Sequence, residues 1–219
     1  LEVIISDVTT LREDEMRLED GLAQAPFLQP FDMDPTARFL IETLVKRQSL
    51  RQRKSTSYLT LRSWRKPVRS YQIEALKALK TAPPHALIDA AAGEIVEAVT
   101  RIVGISSFAH VTPIPCSRSA EGACLSLLIA REVSRQIGKP LSLLLSCAPR
   151  KGTSHPKENA TCPPLRLLAP AAGPCLIIDD VATSGAHIEE GIKKLRPSAH
   201  SVFAVAWIGE DADDKPDTA

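Results

Sequence analysis

Residues 175 to 187 read Cys-Leu-Ile-Ile-Asp-Asp-Val-Ala-Thr-Ser-Gly-Ala-His, and no other stretch limits the fold as strongly. An apolar run of strand length ends in two adjacent carboxylates, Asp179 and Asp180. A short loop of small and hydroxylated residues follows, and a helical pattern begins at Ala186. A strand passing through a tight loop into a helix belongs to a βα series, which argues for a parallel sheet covered by helices. The order of residue types suits a sugar phosphate: carboxylates for ribose hydroxyls, and backbone amides at a helix start for the phosphate.

The chain from Gly104 onward repeats this alternation. Strands are expected over 107–112, 141–147, 174–178 and 201–208, with helices over 120–137 and Ala186–Leu195; Gly138 and Pro140 end the first helix. Upstream, Asp34 followed by Pro35 opens a helix through Phe39, Leu40, Leu44 and Val45 to about Gln48. Ser70 caps a helix carrying Ile73, Leu76 and Leu79, stopped by Pro83 and Pro84. Asp89 caps another through Ile95, Val96, Val99 and Val103. Residues 1 to 32 show weak periodicity, with a short strand at 3–8, and 49 to 69 show no clear period. The expected division is a partly helical, acidic-then-basic extension over 1–80, an α/β domain over 81–209 and an acidic tail over 210–219.

At 219 residues and 44% hydrophobic, the chain can bury one core and carry an extension. No run approaches the roughly 20 apolar residues that cross a bilayer, and the first residues lack a signal-peptide pattern, so no membrane partner is expected. Cys116, Cys124, Cys147, Cys162 and Cys175 are odd in number and lack Cys-x-x-Cys spacing. The expectation is neither a zinc site nor a disulfide framework, and a cytoplasmic location. A net charge of +1 hides blocks: Glu13, Asp14, Glu15, Glu19 and Asp20 lie close together, whereas Lys46, Arg47, Arg51, Arg53, Lys54, Arg62, Arg65 and Lys66 accompany only Glu42. With Tyr58, Trp64 and Tyr71, the basic residues of 46–69 resemble a nucleic-acid face in composition; a solvated or subunit-contact surface is the alternative.

The 175–185 segment resembles the phosphoribosyl pyrophosphate (PRPP) motif of type I phosphoribosyltransferases. That pattern is four apolar residues, two acids, two apolar residues, then Thr/Ser-rich positions and Gly, and Cys175 to Gly185 follows it throughout. His187 departs from it, standing where the family usually has a hydroxyl or another small residue. The resemblance implies that Asp179 and Asp180 are the catalytic pair, holding the ribose hydroxyls directly or through waters of a Mg²⁺ ion carried by PRPP. Val181, Ala182, Thr183, Ser184, Gly185, Ala186 and His187 would bind PRPP, chiefly its 5′-phosphate.

A second segment, Val-Thr-Pro-Ile-Pro-Cys-Ser-Arg over 111–118, resembles the pyrophosphate loop of the ComF-like branch, with Ser117 and Arg118 as its pyrophosphate-binding residues. Arg150, Lys151, Thr153, Ser154, His155, Lys157 and Asn159, in a polar connection over 148–165, fit the family's closing loop or a solvated one. Trp207 would stack on a base or sit in the core. His85, His110 and His200 have no partners at ligand spacing and read as structural. The resemblance covers 70–209; the residues before it lack the four-cysteine zinc module that often precedes ComF-like domains, so a DNA-uptake role is not carried over.

The implied architecture is a type I phosphoribosyltransferase-like parallel sheet with flanking helices and a small hood, preceded by a mostly helical extension. The implied reaction moves phosphoribose from PRPP to an unidentified acceptor, a nitrogenous base by analogy, releasing pyrophosphate. The alternative is a non-catalytic PRPP-binding regulator or a ComF-like nucleic-acid-associated protein. The partners are PRPP and a small-molecule acceptor, with nucleic acid at 46–69 and a second copy in a homodimer as further candidates.

Overall fold

The computed structural model describes residues 34–65, 67–116, 124–147 and 163–210. Two compact units divide the chain, Leu1–Asp32 and Met33–Ala219, and every described residue belongs to the second. Helix α1 (Pro35–Thr43) starts where Asp34 and Pro35 predict it, with Asp34 Oδ1 accepting from the amides of Thr36 at 2.9 Å and Ala37 at 3.2 Å. It stops short of Gln48, because Leu44 turns extended and opens strand β1 (Leu44–Arg53). Lys54, at a φ of 50°, turns the chain into β2 (Thr56–Trp64). The basic stretch is therefore an antiparallel hairpin.

Helices α2 (Ser70–Thr81) and α3 (His85–Ile102) follow. The first has Arg69 rather than Ser70 as its N-cap, the Arg69 amide donating to Gln72 Oε1 at 2.8 Å. The second begins directly after Pro84, a turn earlier than an Asp89 cap predicts. Strand β3 (His110–Pro113), α4 (Leu125–Ile137), β6 (Cys175–Ala182), α5 (Ala186–Leu195) and β7 (Val202–Gly209) form the βα series, while β4 (Leu145–Cys147) and β5 (Leu165–Leu167) make a separate antiparallel pair. Gly138, at a φ of 63°, ends α4 as expected.

The main sheet has the order β1-β2-β7-β6-β3, antiparallel between β1 and β2 and parallel elsewhere. It is the mixed α/β architecture that the βα alternation implies. Residue alternation sorts the sheet's side chains into two layers. Leu59, Leu61, Val111, Leu176, Ile178, Val205 and Trp207 face one way, under α3 and α4. Tyr58, Cys175, Ile177, Ala204 and Ala206 face the other, under Ile188, Ile192 and Leu195 of α5. Each buried Leu or Ile contributes about 1.5–3 kcal/mol, so a strand apolar on both faces belongs at the centre of the sheet.

Two expectations are corrected here. The boundary at residue 80 cuts through this sheet, since Leu59, Thr60, Arg62 and Ser63 of β2 pair with Val205, Ala206, Ile208 and Gly209 of β7. Cys116 and Cys124 are joined in a disulfide, their Cα atoms 5.9 Å apart, because the turn leaving β3 and the start of α4 bring them together. Neither spacing motif nor cysteine count announces that pair. Cys175 is a buried thiol, its pKa pushed up to about 12 by burial.

A buried polar network fastens the hairpin to the helical layer. Arg62 Nε donates to both oxygens of Glu94, at 2.9 and 3.2 Å, and its Nη1 donates to the Ile41 carbonyl at 3.1 Å. Trp207 Nε1 donates to the same carboxylate at 2.9 Å. Glu94→Ala leaves the guanidinium and the indole N–H uncompensated and is expected to cost about 3–5 kcal/mol in denaturant unfolding. Adding Arg62→Met to that variant should recover part of the loss; no recovery would mean that the charge is not what destabilises it.

Candidate functional site

The order of the strands places a crevice. From β3 the chain runs through α4 to Leu141, which bridges Val111 on one side of β3, then returns to lay β6 on the other side and continues outward to β7. The direction of winding reverses between β3 and β6, and in open α/β sheets ligands bind outside the carboxyl ends of strands at such a point. Three groups converge here: the turn leaving β3 at Ile114–Cys116, the end of β6, and the loop entering α5. The Ile114 amide donates to the Ile178 carbonyl at 2.8 Å, holding the first two together.

Asp179 and Asp180 sit inside β6 rather than after it. The strand expected to end at Ile178 runs on to Ala182, with Asp179 beside Ala206, Val181 beside Ile208 and Ala182 beside Gly209. Both acids are buried, 8% and 3% exposed, so their charges are desolvated from the start. Alternation gives Asp179 the face of Tyr58 and Ile177, and Asp180 the face of Ile178. The Asp180 amide donates to Asp179 Oδ1 at 2.9 Å, and the Val181 amide to Asp180 Oδ1 at 2.7 Å. Lys80, in the last turn of α2, places Nζ 2.8 Å from Asp180 Oδ2. Burial and then the Asp180 charge raise the Asp179 carboxyl well above the usual range, against the pull of Lys80 and the Asp180 amide.

The loop beyond the acids is built differently. Thr183 and Ser184 are exposed, and Gly185 takes the left-handed conformation, φ 65°, before α5. A Cβ on Gly185 would lie 2.5 Å from the Tyr58 hydroxyl oxygen, so the residue must be glycine on both conformational and steric grounds. The amides of Thr183, Ser184 and Gly185 find no acceptor among the described residues; Ala186 N–H reaches only Ser184 Oγ, at 3.4 Å. They surround the positive end of the α5 dipole, an arrangement that accepts an anion.

The structure thus gathers Asp179, Asp180, Thr183, Ser184, Gly185, Ala186 and His187 at one sheet edge, with Val181 and Ala182 as ladder residues behind them. Ser117 and Arg118 lie outside the described residues, as do Arg150, Lys151, Thr153, Ser154, His155, Lys157 and Asn159. Trp207 is wholly buried with its N–H committed to Glu94, which leaves its core reading and not base stacking. His110 is buried in β3, its pKa lowered by burial; His85 pairs with Asp89 at 2.8 Å one turn along α3; His200 is exposed.

Sequence reasoning missed Lys80, Tyr58 and Arg53. Lys80 sits in a helix with no motif. Tyr58 and Arg53 are in the stretch read as a nucleic-acid-like face or as a solvated or subunit-contact surface, whose basic residues the structure disperses. Arg62 goes to the core, Lys46 to Glu97 at 4.0 Å on the surface, and Arg53 to Glu189 at 2.8 Å.

No family model matches this chain, and no curated protein matches it. Solved structures to which it is similar include an orotate phosphoribosyltransferase from Aeropyrum pernix, at 17% identity over 80% of this chain and 81% of that one, with a TM-score of 0.40. An adenine phosphoribosyltransferase is 13% identical over 81% and 90%, TM-score 0.40. A phosphoribosylpyrophosphate synthetase from Mycobacterium smegmatis is 12% identical over 80% and 76%, TM-score 0.38. No helix among the described residues is long and apolar enough to cross a membrane.

A buried carboxyl whose folded pKa is raised contributes stability below its unfolded value and loses it as pH rises through the folded value. Asp179→Asn, which cannot ionise, should therefore stabilise the ligand-free protein at pH 8 by about 0.5–2 kcal/mol. The gain should vanish near pH 4, about the unfolded value. Thermal melts across pH check this, and a gain independent of pH would contradict it.

Proposed function

We propose that the chain is a type I phosphoribosyltransferase of the ComF-like kind, transferring the phosphoribosyl group of PRPP to an acceptor nitrogen with release of pyrophosphate. The observation that carries this reading is the pairing, at the β3/β6 switch point, of two buried strand acids with loop amides at the start of α5 that have no acceptor among the described residues. One end of that arrangement accepts hydrogen bonds from sugar hydroxyls. The other donates them to a phosphate.

In this reaction the anomeric carbon develops oxocarbenium character, so positioning and stabilisation of the leaving group's charge do most of the catalytic work. Asp179 and Asp180 would hold the ribose 2′ and 3′ hydroxyls, fixing the sugar ring. The 183–187 loop would anchor the 5′-phosphate. Ser117 and Arg118, which follow Cys116 in the sequence, would take the pyrophosphate, Arg118 offering a planar donor fork.

The residues present fit a Mg²⁺ ion. The acids are hard oxygen donors, and burial together with the Asp180 charge makes Asp179 costly to ionise, a cost that a cation would relieve. Two carboxylates do not fill six positions, so water and PRPP oxygens would supply the rest. When bound, the ion would neutralise charge on the departing pyrophosphate.

A second reading, a PRPP-binding regulator or nucleic-acid-associated protein, is favoured by Lys46, Arg47 and Leu50, which stand exposed along β1, the open edge of the sheet. The same edge would serve a homodimer. Turnover separates these readings: pyrophosphate release with a panel of bases supports the transferase, and binding without turnover, together with salt-sensitive nucleic-acid affinity, supports the regulator.

Mg·PRPP at 100 times its Kd should raise stability by about 2.7 kcal/mol in a thermal-shift assay. The double substitution Asp179→Asn and Asp180→Asn should abolish that shift while leaving the fold intact; unchanged affinity would remove the assignment. Arg118→Ala should weaken pyrophosphate more than ribose 5-phosphate, and equal losses would contradict the role given to that residue.

A further inference from the structure

The β1–β2 hairpin reaches the loop that enters α5 from a direction no part of the 175–187 motif supplies. Arg53, the last residue of β1, donates from Nη1 to the Ser184 carbonyl at 2.8 Å and from Nε to Glu189 Oε2 at 2.8 Å. Two of its five N–H donors are thereby used, and the side chain stays about one-third exposed where it meets Ser184. Lys54 follows it, Nζ 3.9 Å from Glu189 Oε1, and Lys193 lies 2.6 Å from the same oxygen. One carboxylate thus faces three cations, leaving a positive surplus at the first turns of α5.

Arg51 and Arg53 share a face of β1, and their β2 partners are Tyr58 and Thr56. Tyr58 is the side chain that presses on Gly185. Its hydroxyl lies within the electrostatic influence of Arg51, Arg53 and Asp179. Ala204 and Ala206 of β7 are small, which lets the Tyr58 ring lie across that layer between β2 and β6. Arg51 donates from Nη2 to the Glu210 carbonyl, while its Nε is buried with no acceptor among the described residues. A structural salt bridge needs neither this excess of charge nor an uncommitted buried N–H.

We propose that the hairpin is the cationic wall of the 5′-phosphate site, Arg53 binding the phosphate of a phosphorylated pentose directly, with Tyr58 shaping the loop beneath it. This rests on the sugar-phosphate reading of the 183–187 loop and adds to it two residues that the loop motif does not contain. Arg53 already grips the loop through the Ser184 carbonyl, and its remaining donors have no acceptor among the described residues. A planar fork there matches phosphate oxygens in a way that a lysine cannot.

The test is calorimetric titration of ribose 5-phosphate, ribose and Mg-pyrophosphate into the parent chain, Arg53→Ala and Arg53→Lys, with circular dichroism to check folding. Arg53→Ala should weaken ribose 5-phosphate by about tenfold or more, since a charge-assisted hydrogen bond contributes on that scale. Its pyrophosphate affinity should stay within about twofold, as expected of a separate subsite. Arg53→Lys, which keeps the charge and loses the fork, should fall between parent and alanine. Parental ribose 5-phosphate affinity in both variants, or in the lysine variant alone if the alanine variant does not fold, overturns the proposal. An equal loss of pyrophosphate affinity overturns it too, because the effect would then not be local to the 5′-phosphate. A parent chain that binds neither ribose 5-phosphate nor Mg·PRPP instead overturns the sugar-phosphate reading, and this proposal with it.

Discussion

Two neighbouring carboxylates are enclosed in the middle strand of the βα series, and most of the architecture around them can be understood as the means of keeping them there. A buried charge is tolerated only when its surroundings supply compensating partners. Asp180 has Lys80 and the Val181 amide; Asp179 has the Asp180 amide and the Lys80 charge, and its pKa rises because burial and the Asp180 charge outweigh them. The strand can carry this burden because β3 and β7 flank it in register and apolar residues fill both of its faces up to Ile178. The compensation that the fold withholds from Asp179 is what hydroxyl donors or a cation would provide.

Lys80 ties the acids to a part of the chain that belongs to no βα unit. It comes from the end of α2, and the hairpin before α2 is sewn into the sheet through β7 and into the helical layer through Arg62 and Glu94. The hairpin also delivers Tyr58 and Arg53 to the α5 loop. The segment before the βα series is therefore a structural component of the site. Its removal would strip β7 of a parallel neighbour as well as strip the acids of their counter-charge.

The βα half of the molecule was legible because its signals are local. An apolar run, an acid pair and a glycine before a helical pattern put β6 and α5 in place to within a few residues, and Gly138 marked the end of α4. The acids' burial inside the strand was not legible, since an Asp pair reads as the end of an apolar run and only the neighbouring strands extend the ladder past it. The hairpin was missed for the opposite reason. β1 is an edge strand whose charges fall on both faces, and β2 is buried on both, so neither shows the alternation that marks a half-buried strand. Lys80 and Arg53 act through contacts across roughly 100 and 130 residues of sequence, and no spacing rule reaches that far. The Cys116–Cys124 bond escaped likewise, because it depends on where a turn points.

The distribution of charge gives the site a direction. Its β6 end carries two buried acids with a single lysine; its α5 end carries loop amides, a helix dipole and the Arg53, Lys54 and Lys193 cations around one glutamate. These two ends belong to consecutive segments of one chain, so they are separated by no more than the span of a short loop. A ligand spanning them must present hydroxyls or a bound cation to the first and an anion to the second, and reversing it would set anion against acid and cation against cation. Like-charge contacts at the buried acids are costly, so a ligand with a phosphate at one end would be oriented by charge alone, without a base-specific contact. On the proposed reading, discrimination of the acceptor would fall to other surfaces, since this motif addresses only the sugar and the phosphate.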